Sequence, residues 1–271
     1  MLLTNGQAGL IDLNINQAQK AQGAYAYNLS FKDYSLLMLG GKPIEGQSLE
    51  AVQELLLKQM NNLITGNFKD WLIPAVVNDY KMNEMVQFES NKVRADAFVD
   101  AFVWNISWKD YLNEINTLET MTKQDVQAFC SMYFKNNFIT VFKRKGVDAS
   151  IQKVPKPIIS SVPVNRESQS AFYKEVFKTP SPIIQPVFVN FDKEITLSKI
   201  KNLPILYKQN KENSLFIQQH KWDLGKMPSP RYSFMLTYLN YLGTDKYTAE
   251  QLQEEFYKLG CSYSFKIAGN E

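Results

Sequence analysis

Leu49, Val52, Leu56, Met60 and Leu63 recur at helical spacing between Ser48 and Thr65-Gly66, while Glu50, Glu54 and Lys58 fall on the opposite side. Apolar positions three and four apart share one face of a helix. The spacing therefore predicts an amphipathic helix that starts at Ser48, stops at Gly66 and lies on a sheet. The sheet precedes it: residues 24–39 are rich in Tyr, Phe and Leu, break near Lys32-Asp33 and close with Gly40-Gly41, a pattern of two adjacent strands.

Further along, a helical region spans residues 70–104, with Pro74 tolerated because first-turn amides lack partners. Thr122-Lys-Gln-Asp125 has the form of a capping box and opens another helix, which Asn136-Asn137 stops. The apolar run Phe138 to Phe142 then reads as a strand. Residues 148–192 hold six prolines and no glycine, which predicts an extended connector whose apolar residues pack along the domains. A strand–strand–helix order then returns. A hairpin is predicted over residues 203–222, turning at Asn210 to Asn213. Ser229-Pro230 opens a helix over 230–242, with Gly243 at its left-handed end. Thr248 and Gln251 form a capping box for a helix ending at Gly260. Cys261, Tyr263, Phe265 and Ile267 alternate with polar residues as a strand with one apolar face. No later segment covers that face, which predicts an internal stretch of a longer protein, and either self-association through residues 193–271 or greater mobility there than in residues 1–147.

Composition narrows the function classes. Thirty basic and 27 acidic residues leave a formal charge of +3, read as spread over 271 residues. That excludes a polyanion footprint, so nucleic acid is not an expected partner. The basic run Lys143-Arg144-Lys145 flanks the strand at Phe138–Phe142 and reads as its solvated end. No apolar stretch reaches the length of a membrane span, and residues 1–20 show no basic-then-apolar leader, since Leu10 to Ile15 alternates with Asp12 and Asn14. A soluble chain, cytoplasmic or periplasmic, is expected. Cys130 and Cys261 are too few for a disulfide framework and sit among apolar neighbours, as small buried hydrophobes do.

The run Tyr238-Leu-Asn-Tyr-Leu-Gly243-Thr244-Asp-Lys-Tyr247, followed by Glu255-Phe256 and Leu259-Gly260, resembles the insulinase/pitrilysin family of zinc metallopeptidases. In that family's catalytic domain a helix bearing H-x-x-E-H leads into a Gly-Thr and a Lys-Tyr, then an acidic-Phe helix, a glycine and a strand. Thr122-Lys-Gln-Asp125-Val126 and Tyr133-Phe134 resemble the threonine-capped helix near the end of the family's second domain. Alignment on Gly243-Thr244 sets Phe234, Thr237 and Tyr238 at the H-x-x-E-H positions. The chemistry needs imidazoles and a carboxylate on zinc plus a glutamate base, which these three side chains do not supply. His220 is the chain's one histidine.

The resemblance implies an α+β fold of two α/β units of the clamshell type, each an antiparallel sheet with helices on one side, joined by an extended linker. Residues 1–147 correspond to most of the second domain of the first half, 148–192 to the inter-half linker, and 193–271 to the incomplete start of the metal-free second half. The catalytic domain then lies upstream of Met1, and an Arg and a Tyr that the second half contributes to substrate lie beyond Glu271. The implied function is chamber wall and linker of a zinc metalloendopeptidase. No catalytic or metal-binding residue is expected in this stretch, its substrate contacts are unassigned, and zinc belongs to the parent, as does the peptide substrate. A non-catalytic partner subunit of a two-chain peptidase and a free-standing protein-binding module are the alternatives. His220 reads as a partly exposed strand residue beside Phe216, Gln218 and Trp222. Tyr238 and Tyr241 read as core or interface residues, and Glu254-Glu255 as helix solvation, since adjacent helical residues point about 100 degrees apart.

Overall fold

The computed structural model describes residues 1–31, 33–147, 150, 152, 154–222, 229 and 231–268. The chain is α+β, with two small antiparallel sheets and ten α-helices among the described residues. Among those residues no helix is long and apolar enough to cross a membrane.

The N-terminus folds around a buried carboxylate. Asp12 Oδ2 accepts from the amides of Asn5 (2.7 Å), Gly6 (2.9 Å) and Gly9 (3.2 Å), which satisfies donors that the tight loop turns inward. Residues Asp12–Gln17 form a π-helical turn rather than an extended segment, and Ile11 and Ile15, four apart, are fully buried by it. Strand β1 (Gly23–Ser30) pairs antiparallel with β2 (Ser35–Lys42), Tyr27 opposite Met38. The outer edge of β1 is satisfied by side chains. The Asn16 amide both donates to and accepts from the backbone of Ala24, and the Thr4 hydroxyl accepts from the Ala26 amide.

Helix α1 (Leu49–Thr65) starts where the Ser48 hydroxyl accepts from the Ala51 amide and ends at Gly66 with φ +67°, a left-handed conformation that suits glycine. Val52, Leu56, Met60 and Leu63 are buried as their spacing requires, each contributing about 1.5–3 kcal/mol. The helical region after it is two helices, α2 (Leu72–Gln87) and α3 (Asn91–Val103), with Pro74 in the first turn of α2. Two short helices, α4 (Trp108–Leu112) and α5 (Glu114–Glu119), lead to α6 (Lys123–Tyr133). The Thr122–Asp125 capping box is present, and α6 packs Val126 and Cys130 towards α1.

Contacts divide the chain into one unit of residues 1–142 with 212–271, and another of residues 143–211. These boundaries differ from a division at 147 and 192. The second unit holds α7 (Ala171–Lys178), α8 (Phe191–Glu194) and the hairpin β3 (Thr196–Ile200) with β4 (Leu203–Tyr207). The hairpin therefore turns at residues 201–202, before Asn210–Asn213. Lys201 takes a positive φ of 54° there, and a tight two-residue turn fixes the register. The connector is interrupted by α7, because Ser170 caps the Tyr173 amide and residues 171–178 contain no proline. Among its described residues none is buried; Ile195 and Ile205 are half-buried. This unit contains 13 basic and 5 acidic residues, a net +8, whereas the other contains 17 and 22, a net −5. The small net charge is thus two opposed imbalances, not an even spread.

In the first unit, α9 (Arg231–Leu239) and α10 (Ala249–Lys258) follow residue 212. Ser229 accepts from Arg231 as a start signal, Pro230 lies outside the described residues, and α9 ends before residue 242 in a looser turn. Thr248 and Gln251 form the capping box of α10. Two expected strands are absent: Phe138–Phe142 and Cys261–Ile267 are irregular chain that belongs to neither sheet, and the Cys261 amide donates back to the Phe256 carbonyl of the preceding helix at 2.9 Å. Lys143-Arg144-Lys145 is accordingly exposed chain rather than a strand end. Cys261 is exposed, unlike Cys130.

Tyr257 is 2% exposed and joins the core of the first 130 residues. Its hydroxyl donates to Asp79 Oδ2 at 3.2 Å. Tyr257→Ala is expected to lower stability by about 3–5 kcal/mol and Tyr257→Phe by about 1 kcal/mol, measured by urea unfolding. Equal effects of the two variants would show that the ring is not part of the core.

Candidate functional site

The three positions aligned with the metal motif lie on α9. Phe234 and Tyr238 are 74% and 55% exposed and, one turn apart, stack with centroids 6.5 Å apart and planes 9° from parallel. Thr237 donates its hydroxyl to the carbonyl of Ser233 at 3.0 Å, an ordinary back-bond within a helix. Phenylalanine offers no lone pair to a metal, and Phe234 and Tyr238 present an exposed aromatic strip beside the Thr237 hydroxyl. Tyr238 and Tyr241 are both exposed, so neither belongs to the core of this chain.

After α9 the chain turns sharply at Gly243. A Cβ there would meet the Tyr247 carbonyl oxygen at 2.2 Å, so only glycine fits this close approach. The Thr244 amide donates to that same carbonyl at 2.8 Å, and the Thr244 hydroxyl accepts from the amides of Lys246 and Tyr247. Gly243-Thr244 and Lys246-Tyr247 are thus the two sides of one hydrogen-bonded turn, which delivers the chain to the Thr248 cap.

Glu254 and Glu255 are divided by their environment. Glu254 is 5% exposed and pairs with Lys69, whereas Glu255 pairs with Lys258 within α10. Glu254 is therefore not a solvated helical residue as expected, because α10 turns the face carrying Glu254 and Tyr257 onto the N-terminal core. His220 lies on irregular, exposed chain rather than a strand. Its Nε2 is 2.8 Å from Gln218 Nε2, and its ring stacks on Trp222 at 5.8 Å.

A cleft of about 230 Å³ beside α10 is lined by Gly6, Gln7, Asn240, Gln253, Phe256 and Tyr263. Phe256 and Tyr263 meet edge to face at 4.9 Å. Amides both donate and accept, so this lining can hold a peptide-like group against two rings; it holds no carboxylate or imidazole to act as a general base. None of its three amide residues stands out in the sequence, because the cleft joins the N-terminal loop to α10 and the turn after α9, from opposite ends of the chain.

Burial raises the Tyr263 phenol above its ordinary range. Tyr257 is raised further, first by burial and then by the charge and hydrogen bond of Asp79. Tyr80 is pushed up to about 12 by burial and by Glu114. A phenol whose folded pKa is raised stabilises the fold fully below about 10 and loses that contribution as pH rises towards the folded value. Stability is therefore expected to fall between about pH 10 and 12, with Tyr80 and Tyr257 ionising late in a 295 nm titration. Ionisation of all tyrosines near pH 10 in a still-folded chain would contradict these environments.

No family model matches the chain, and no curated protein matches it. Among solved structures it is similar to the crystal structure of a protease from Helicobacter pylori. The likeness has a TM-score of 0.45 at 19% identity and covers 50% of this chain and 33% of that one. The chain thus spans about a third of the length of that structure. At this depth of similarity no residue role passes from one protein to the other.

Proposed function

We propose that this chain is a non-catalytic segment of a zinc-dependent metalloendopeptidase of the insulinase/pitrilysin type, forming wall and connector of a peptide-hydrolysing chamber. The observation that carries the reading is the helix–turn–helix from α9 to α10. Its order of residues (Tyr238, Gly243-Thr244, Lys246-Tyr247, Glu255-Phe256, Leu259-Gly260) resembles the family's catalytic domain, and the obligatory Gly243 and the Thr244–Tyr247 turn give that order a structural reason. The capping box at Thr122–Asp125, whose residues resemble the threonine-capped helix of the family's second domain, supports it further.

In this reading residues 1–147 are second-domain wall, 148–192 are inter-half linker and residues from 193 open the metal-free half. Zinc and the base that activates its water are then supplied upstream. What this chain supplies is surface: the exposed strip of Phe234 and Tyr238 and the amide-lined cleft, both suited to peptide contact and neither to proton transfer.

Two measurements test the reading. Metal analysis of the dialysed chain is expected to find less than one zinc per chain, and fluorogenic peptides are expected to remain uncleaved. The complete reading frame, expressed with whatever precedes residue 1, is expected to cleave them and to lose that activity to a chelator. One tightly held zinc in this chain alone, or a complete product with chelator-insensitive peptidase activity, would overturn it.

A further inference from the structure

The unit from Lys143 to Lys211 has the surface of something made to be covered. Ile158 is 100% exposed, and Ile183, Ile184, Val187 and Phe188 are each more than 80% exposed. Scattered apolar side chains on a surface are ordinary, but 69 residues without one buried side chain among those described do not form a self-sufficient unit. Its charge is +8. Within it, α7 is amphipathic: Phe172 and Val176, and Tyr173 and Phe177, lie one turn apart on one face, with Lys174 bordering one edge, Glu175 the other, and Lys178 on the polar side.

Residues 72–119 of the other unit, from α2 to α5, show the complementary surface. They contain 8 acidic and 4 basic residues. On α3, Asp96, Val99, Asp100 and Val103 fall on one helical face, where Lys92 pairs with Asp96 and leaves Asp100 as the carboxylate without a lysine one turn before it; Val99 and Val103 are 57% and 67% exposed, and Phe102 beside them is 86% exposed. Glu84 and Glu114 add negative charge nearby, since both act on Tyr111 together with Asp100.

We propose that residues 143–211 are a docking arm that packs on the acidic, apolar-exposing face of α3 and its neighbours in a second copy of this chain. One sequence carries both partners of the match, a basic strip with an apolar stripe and an acidic face with apolar side chains. Two copies can therefore exchange arms reciprocally about a twofold axis and leave no arm uncovered. An arm of 69 residues exceeds the roughly 20–30 residues a side that a standard interface uses. Apolar contact supplies the affinity, and the opposed charges set the partner and make association sensitive to salt.

Sedimentation velocity on the full chain, over a hundredfold range of concentration, tests this. A monomer–dimer equilibrium is expected, weakening as salt rises. Lys174→Glu with Lys178→Glu is expected to weaken it at least tenfold, as is Asp96→Lys with Asp100→Lys. Mixing the two charge-reversed chains is expected to restore association, because each reversed arm then meets a reversed face. Phe172→Ser with Phe177→Ser is expected to abolish dimerisation without moving the thermal unfolding of the rest, since α7 contributes nothing to the core. A chain that stays monomeric throughout overturns the proposal, whether its arm remains free or becomes protected within one molecule. So does a dimer indifferent to these substitutions, or a monomer that floats with phosphatidylserine vesicles, which would make the arm a membrane contact instead.

Discussion

Tyr257 is the one residue after Cys130 that enters the described apolar core, and it anchors α10 there. Its ring is enclosed, its hydroxyl meets Asp79, and one turn before it Glu254 reaches Lys69. These contacts hold α10 on the N-terminal core, and α10 in turn positions the Gly243 turn, the exposed strip on α9 and the cleft beside Phe256. Burial of a phenol next to a carboxylate is favourable only while the phenol keeps its proton, which couples the seat of α10 to alkaline pH.

The rest of the chain divides by how much of its apolar surface finds a partner. Residues 1–142 enclose α1, the hairpin and the N-terminal loop around Ile11 and Ile15. Residues 143–211 contain a comparable supply of Phe, Ile and Val but no closed layer to bury them in, and they carry the positive charge that the other unit lacks. A two-stranded hairpin alone, such as β3 with β4, has one side of hydrogen bonds and no helix to cover a face, so it gains little from its Leu and Ile residues.

Local chemistry was legible in the sequence wherever it was self-contained. The caps at Ser48, Thr122 and Thr248, the left-handed Gly66 and the β1–β2 hairpin each depend on residues within a few positions of one another, and each stands as its pattern requires. What was not legible depends on distant partners. Phe138–Phe142 and Cys261–Ile267 have the composition of strands, but a strand exists only with a neighbour to share its ladder. Glu254 reads as a solvated helical glutamate until Lys69, 185 residues away, is placed beside it. The candidate site follows the same rule: Phe234, Thr237 and Tyr238 and the turn after them were visible as a motif, whereas the cleft of Gln7, Asn240 and Gln253 forms only when both ends of the chain meet.

One core, which Tyr257 enters from α10, joins residues 1–142 to 212–271, whereas residues 143–211 bury no side chain among those described. Amide hydrogen exchange on the dilute chain at high salt tests it most directly. The amides of α1 and α10 are predicted to exchange slowly and to lose protection together as denaturant is added, while those of α7, β3 and β4 exchange within seconds. Protection of residues 171–207 equal to that of α1 under these conditions, or independent opening of α10 and α1, would contradict it.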